Sequence, residues 1–216
     1  MNLVIFGAPG AGKGTIASRL AEKLGIRHIS IGQVFRDAAK EGTNDAKMIG
    51  ELLAAGKPIP DEIAINVIIN HLKKPEFEKG FIFDSPYNVA QTRAIDRAKK
   101  IDAAINLAVS EEIIIDRLST RRLCGQCGEV FNVRTMPSKV EGKCDKCGGD
   151  LIIRKDDEPE AIKERLRHYY KRAQPLEDYY RQTGALVRIE ITDGDAPPEA
   201  NTQKVLDALK KKLEDD

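Results

Sequence analysis

A three-layer α/β fold, with a five-stranded parallel sheet covered by helices on both faces, is predicted by three observations in this 216-residue chain. An apolar run at 3–6 ends in a glycine-rich loop that opens a helix. Short apolar runs then recur, separated by stretches of helical periodicity. Two segments interrupt that rhythm, a helical one at 30–59 and a cysteine- and glycine-rich one at 122–154.

The first strand, Leu3-Val4-Ile5-Phe6, is uniformly apolar, as a strand buried on both faces requires. Ile16, Ala17, Leu20, Ala21 and Leu24 follow at helical spacing. Further strands are expected at 26–31, 81–83, 105–109 and 186–191, and helices at about 33–40, 44–55, 61–74, 89–99 and 111–122. The 30–59 insertion closes on Gly56-Lys57-Pro58-Ile59-Pro60. A long helix should begin near Glu158-Pro159, with proline in its first turn, and Pro175 should bend or break it. The core domain is therefore read as 1–29, 60–121 and 155–216, with insertions at 30–59 and 122–154. Lys210-Lys211-Lys212 reads as a solvated helix face.

A net charge of +1 argues against a nucleic-acid or membrane footprint carried by overall charge, so neither partner is expected. No apolar run reaches the roughly 18 residues of a membrane span, and no secretory signal pattern opens the chain. A cytoplasmic location is expected. There, four cysteines serve better as metal ligands than as disulfides.

Gly7-Ala8-Pro9-Gly10-Ala11-Gly12-Lys13-Gly14-Thr15 fits the phosphate-loop spacing G-x-x-x-x-G-K. Backbone N–H groups at the start of the following helix converge on an anion, and Lys13 adds a full charge, so Gly10, Ala11, Gly12, Lys13, Gly14 and Thr15 are expected to hold a nucleoside triphosphate. The general pattern has Ser or Thr directly after the lysine; here Gly14 stands there and Thr15 follows. Asp84 ends an apolar strand, where a magnesium–triphosphate site needs an acid for the metal or its waters. Cys124-x2-Cys127-x16-Cys144-x2-Cys147 has tetrahedral zinc spacing. Four protein ligands leave no open position, so the zinc would be structural and would supply folding free energy to a small insertion.

The Gly-Lys-Gly-Thr ending of the loop, the run Arg154-Lys155-Asp156-Asp157 and the cysteine insertion resemble the adenylate kinase family, and the likeness extends to Thr192-Asp193-Gly194. The resemblance implies reversible, magnesium-dependent transfer from ATP to AMP, giving two ADP. It makes 30–59 a monophosphate-binding clamp and 122–154 a zinc-bearing lid. Lys13, Asp84, Arg117, Arg121, Arg154 and Arg165 would be catalytic. Arg121, Val130, Phe131 and Ala196 would join the loop on the ATP side. Ile31, Gly32, Arg36, Lys57, Pro58, Ile59, Ser85, Gln91, Arg154 and Arg165 would form the AMP side, with Asp156 and Asp157 as hinge or lid-closure partners. Arginine suits phosphate because its planar fork binds oxygens in pairs. Arg117 and Arg121, four apart, are expected on one helix face.

Two departures fall on the acceptor side. Ser30-Ile31-Gly32 has Ile31 where the family usually has a base-directed threonine. Asp84-Ser85-Pro86-Tyr87-Asn88 is one residue shorter than the family's segment and lacks its phosphate-gripping arginine. A kinase preferring GMP, CMP or UMP is therefore an alternative reading. A regulatory nucleotide-binding module, with the zinc element as a contact surface, is another. The five arginines, spaced to surround two phosphate chains, favour phosphoryl transfer. Oligomeric state stays open between a monomer and a small homo-oligomer.

Overall fold

The computed structural model describes residues 1–41, 44–55 and 57–214, so Gly56 of the segment that closes the first insertion lies outside the described residues. In chain order the elements are β1 (Asn2–Gly7), α1 (Lys13–Leu24), β2 (Arg27–Ser30), α2 (Ile31–Ala38), α3 (Asn44–Ala54), α4 (Asp61–Leu72), β3 (Phe81–Asp84), α5 (Val89–Ala98), β4 (Ala103–Val109), α6 (Glu111–Ser119), β5 (Arg121–Cys124), β6 (Val130–Asn132), β7 (Leu151–Ile152), α7 (Pro159–Gln182), β8 (Leu186–Ile191) and α8 (Pro198–Glu214).

Apolar runs with no polar alternation demand burial on both faces, and β1 meets that demand at the centre of the sheet. The order is β2-β3-β1-β4-β8, and every neighbouring pair is parallel. Val4 lies opposite Phe83, and Ile5 opposite Ile105. Alternate residues then feed two cores. Leu3, Ile5, Ile105 and Leu107 pack against Ile16 and Leu20 of α1 and Val205 and Leu209 of α8. Val4, Phe6, Phe81 and Phe83 pack with Ile68 and Leu72 of α4, Ile95 of α5, and Leu176 and Tyr180 of α7. The strand order reverses beside β1, so the β1–α1 loop opens at a switch point where α/β sheets bind ligands.

The cysteine segment carries a separate three-stranded antiparallel sheet, β6-β5-β7, with Cys124 ending β5 and the other three cysteines in the turns beside it. Its small core consists of Cys124, Phe131 and Cys144, with Leu151 against them. No helix among the described residues is long and apolar enough to cross a membrane.

Two expectations are corrected. The helix expected to run to residue 122 stops at Ser119, and Arg121 lies on β5. The Thr120 hydroxyl donates to the Asp116 carbonyl at 2.7 Å, closing the last turn, and residues 121–123 then pair with 130–132. Arg117 and Arg121 therefore do not share a helix face. The second correction concerns Pro175, which neither ends nor interrupts α7. Both halves of that helix are pinned: Ile162 and Leu166 pack against Ala8, Ile114 and Leu118, while Leu176 and Tyr180 enter the second core. Packing on either side outweighs the one backbone hydrogen bond that proline removes.

Candidate active site

The glycine-rich loop lines a cleft of about 1150 Å³, shared with the start of α1, the end of β3, the base of the cysteine segment and the 194–201 region. Gly10 holds φ at 85°, and a Cβ there would lie 2.8 Å from Leu118 Cγ, so only glycine lets the loop pass beneath α6. Gly12, also left-handed at φ 91°, opens α1 with no side-chain cap. The first amides of α1 are thus left for a ligand, and the helix dipole favours an anion there.

Lys13 reaches back over the loop, its ammonium donating to the Ala8 carbonyl at 3.0 Å. Burial lowers its pKa, Asp84 counters that, and Arg165 and Arg121 add to the lowering. Burial would raise the Asp84 carboxyl, but the His28 imidazole, the Lys13 charge and the Ser85 hydroxyl together hold it below the ordinary value. Ser85 Oγ donates to Asp84 Oδ1 at 2.7 Å, and His28 Nε2 lies 3.7 Å from Asp84 Oδ2. An ionised carboxylate facing the loop's lysine is what a hydrated magnesium ion carried in with a triphosphate can use.

Arg117, Arg121, Arg154 and Arg165 line the same cleft. Arg121 makes a bidentate pair with Asp157, Nε to Oδ2 at 2.8 Å and Nη2 to Oδ1 at 2.5 Å, and the Asp157 side chain is only 1% exposed. Arg165 reaches the same carboxylate at 3.2 Å and Asp156 at 3.3 Å. Arg154 pairs with Asp156 at 2.8 Å. Arg117 donates from Nε to the Gly194 carbonyl at 3.1 Å, which ties α6 to the loop carrying Ala196, another lining residue. Val130 is exposed at the mouth, whereas Phe131 is buried against Cys124 and Cys144 while still lining the cleft.

On the acceptor side the structure brings in Ile31 and Ser85. Gly32, Arg36, Lys57, Pro58, Ile59 and Gln91 do not line the cleft. Arg36 is held by Gln33 Oε1 at 2.9 Å. Gln91 is buried, with its Oε1 accepting from the Tyr87 N–H at 3.1 Å and its Nε2 donating to Asp61 at 3.2 Å.

The four cysteine sulfurs lie within 4.8 Å of one another, with Cys124–Cys147 at 3.4 Å and Cys127–Cys144 at 3.6 Å. Four thiolates at about 2.3 Å from a tetrahedral zinc would be about 3.8 Å apart, so the arrangement fits that ion.

Two residues of the region carry weak sequence signals. His28 shows only as the polar member of the His28-Ile29-Ser30 alternation on β2, with Ile29 buried and its neighbours at the cleft. Arg134 clamps the cysteine segment to the core, reaching Asp116 at 2.6 Å and Asp195 at 2.5 Å, partners that no local pattern indicates.

With this geometry in place, comparison with known proteins is direct. The family model described as adenylate kinase matches residues 5–185. The adenylate kinase of Archaeoglobus fulgidus is 44% identical over 198 residues, covering 89% of this chain and 91% of that protein. That of Fervidobacterium nodosum is 42% identical over 196 residues, with 88% and 90% covered. That of Thermosipho melanesiensis is 37% identical over 217 residues, with 98% and 100% covered.

Removing the Asp157 carboxylate leaves two half-buried guanidiniums without their shared partner. Asp157→Ala is expected to lower the unfolding free energy by about 3 kcal/mol. Urea denaturation checks this; an unchanged midpoint would contradict it.

Proposed function

This chain belongs to the adenylate kinase family of nucleoside monophosphate kinases, and from that premise we propose that it transfers the terminal phosphoryl group of ATP to AMP, reversibly, giving two ADP. The observation that carries the reading is the single cleft in which the phosphate loop, Lys13, Asp84 and four arginines face one another.

The reaction asks for little covalent chemistry from the protein. Loop amides at 10–15 and Lys13 hold the donor's phosphates. Arg117, Arg121, Arg154 and Arg165 bind the equatorial oxygens where charge spreads in the transition state. In the free protein Asp157 and Asp156 hold three of these arginines in place; phosphate takes over those contacts when the nucleotides bind. Magnesium carried in with ATP would supply charge neutralisation, and Asp84 is the residue that would hold it or its waters. Residues 122–154 close as a lid over ATP and exclude water, the competing acceptor. Cys124, Cys127, Cys144 and Cys147 hold a structural zinc that keeps this lid folded. Four reduced thiols suit a cytoplasmic setting.

AMP is accepted, but with broader tolerance of the acceptor base than the family pattern implies. Ile31 offers no hydroxyl to the base, and both ends of the Gln91 amide are bonded within the protein. Discrimination depends on polar groups that a wrong base leaves unpaired, and two such groups are lacking here.

Three measurements test these statements. In a coupled assay of ADP formation from ATP and AMP, Lys13→Ala should lose at least about a thousandfold in turnover while keeping its circular dichroism spectrum; retained turnover would refute the loop's role. Rates with AMP, GMP, CMP and UMP at fixed ATP should fall within about a thousandfold of one another, and a wider preference for AMP would sink the relaxed specificity. Metal analysis should find close to one zinc per chain, with Cys144→Ala losing zinc and lid protection from proteolysis together; a native protein without zinc would overturn the lid assignment.

A further inference from the structure

Between Asp84 and Gln91 the chain has no arginine, and the course of that segment shows what stands beside it instead. Ser85 takes φ 65°, the one left-handed non-glycine among the described residues. The turn leaves Tyr87 47% exposed, two residues beyond the cleft-lining Ser85. The loop behind it is anchored: Asn88 Nδ2 donates to both Asp61 oxygens, at 2.8 and 3.0 Å, and Asn88 Oδ1 caps α5 by accepting from the Gln91 N–H at 3.0 Å.

The guanidinium of Arg172 lies over the exposed Tyr87 ring, 3.8 Å from its centroid. Arg172 is half-buried on α7, seven residues after Arg165. Seven residues are two helical turns, so both arginines lie on one face of α7, about 10 Å apart along the axis. Arg172 Nε donates to the His168 carbonyl at 3.0 Å. Among the described residues, no carboxylate pairs with its terminal nitrogens and no hydrogen bond engages them, unlike Arg121, Arg154 and Arg165.

We propose that Arg172, stacked on Tyr87, grips the phosphate of the acceptor monophosphate, supplying from α7 the charge that the segment after β3 lacks. This inference rests on the reading of the cleft as a monophosphate kinase site. Stacking occupies the face of the guanidinium and leaves its in-plane N–H edge to form the paired bonds that phosphate accepts. The ring also removes rotamer freedom that an unsupported arginine would lose on binding. A lysine at 172 would keep the charge but not the fork.

The test is calorimetric titration of AMP and of adenosine into the native enzyme and into Arg172→Leu, Arg172→Lys and Tyr87→Leu. Arg172→Leu is expected to weaken AMP by about tenfold or more and to change adenosine by less than about twofold, because only AMP carries the phosphate. Arg172→Lys should recover part of the loss, and Tyr87→Leu should weaken AMP in the same direction. KM for ATP should stay unchanged in all three, and Arg181→Leu, on the same helix, should leave AMP affinity at the native value. Unchanged AMP affinity in Arg172→Leu overturns the proposal, as does an equal loss for AMP and adenosine, which would indicate a disturbed pocket. If the native enzyme makes ADP from ATP and AMP while Arg172→Leu binds AMP normally, only this inference falls. A native protein that binds no monophosphate overturns it together with the reading beneath it.

Discussion

Crowding several cations into one cleft is unfavourable until phosphate arrives, and much of this structure answers that constraint. Lys13, Arg117, Arg121, Arg154 and Arg165 share a cavity, and burial works against the charge of Lys13, Arg117 and Arg165. Three carboxylates offset the repulsion. Asp84 faces Lys13 from the end of β3, while Asp157 and Asp156 hold Arg121, Arg154 and Arg165. These acids hold the arginine side chains in defined positions at the cleft.

The same contacts join the cysteine segment to the core. Arg121 stands on β5 and Asp157 at the entrance to α7, so their pair joins the chain where it enters and leaves the cysteine segment. A second tie comes from Arg134, which joins the cysteine segment to α6 and to the loop carrying Ala196. The cysteine segment thus meets the core through ion pairs and hydrogen bonds, among them Asn132 Nδ2 to the Thr120 hydroxyl at 2.8 Å. Its own integrity rests on a core of a few residues around the cysteines, too small to hold without further support.

Features set by neighbouring residues are legible in the amino-acid sequence: the phosphate loop, the five strands, the paired Cys-x2-Cys turns and the acid ending β3. Features set by distant partners are not. Helical spacing continues past Ser119, but pairing of residues 121–123 with 130–132 takes Arg121 into a strand. Pro175 reads as a break because the packing that holds both halves of α7 comes from elements far away in sequence. Arg36 and Lys57 of the 30–59 insertion do not line the cleft, and Gln91 on α5 is held by Tyr87 and Asp61, placements set by tertiary contacts. Tyr87 and Arg172 meet across 85 positions with no motif to mark them.

Pro175 also bears on how the molecule breathes. A proline within α7 removes one rung of its hydrogen-bond ladder between the stretch carrying Arg165 and the stretch carrying Leu176 and Tyr180. Fraying that begins at the cleft end reaches a place where continuity is already weakened, so it can stop there without loosening the core. Amides of the first stretch should then open in a local unit of lower free energy, and those beyond Pro175 only with the whole domain.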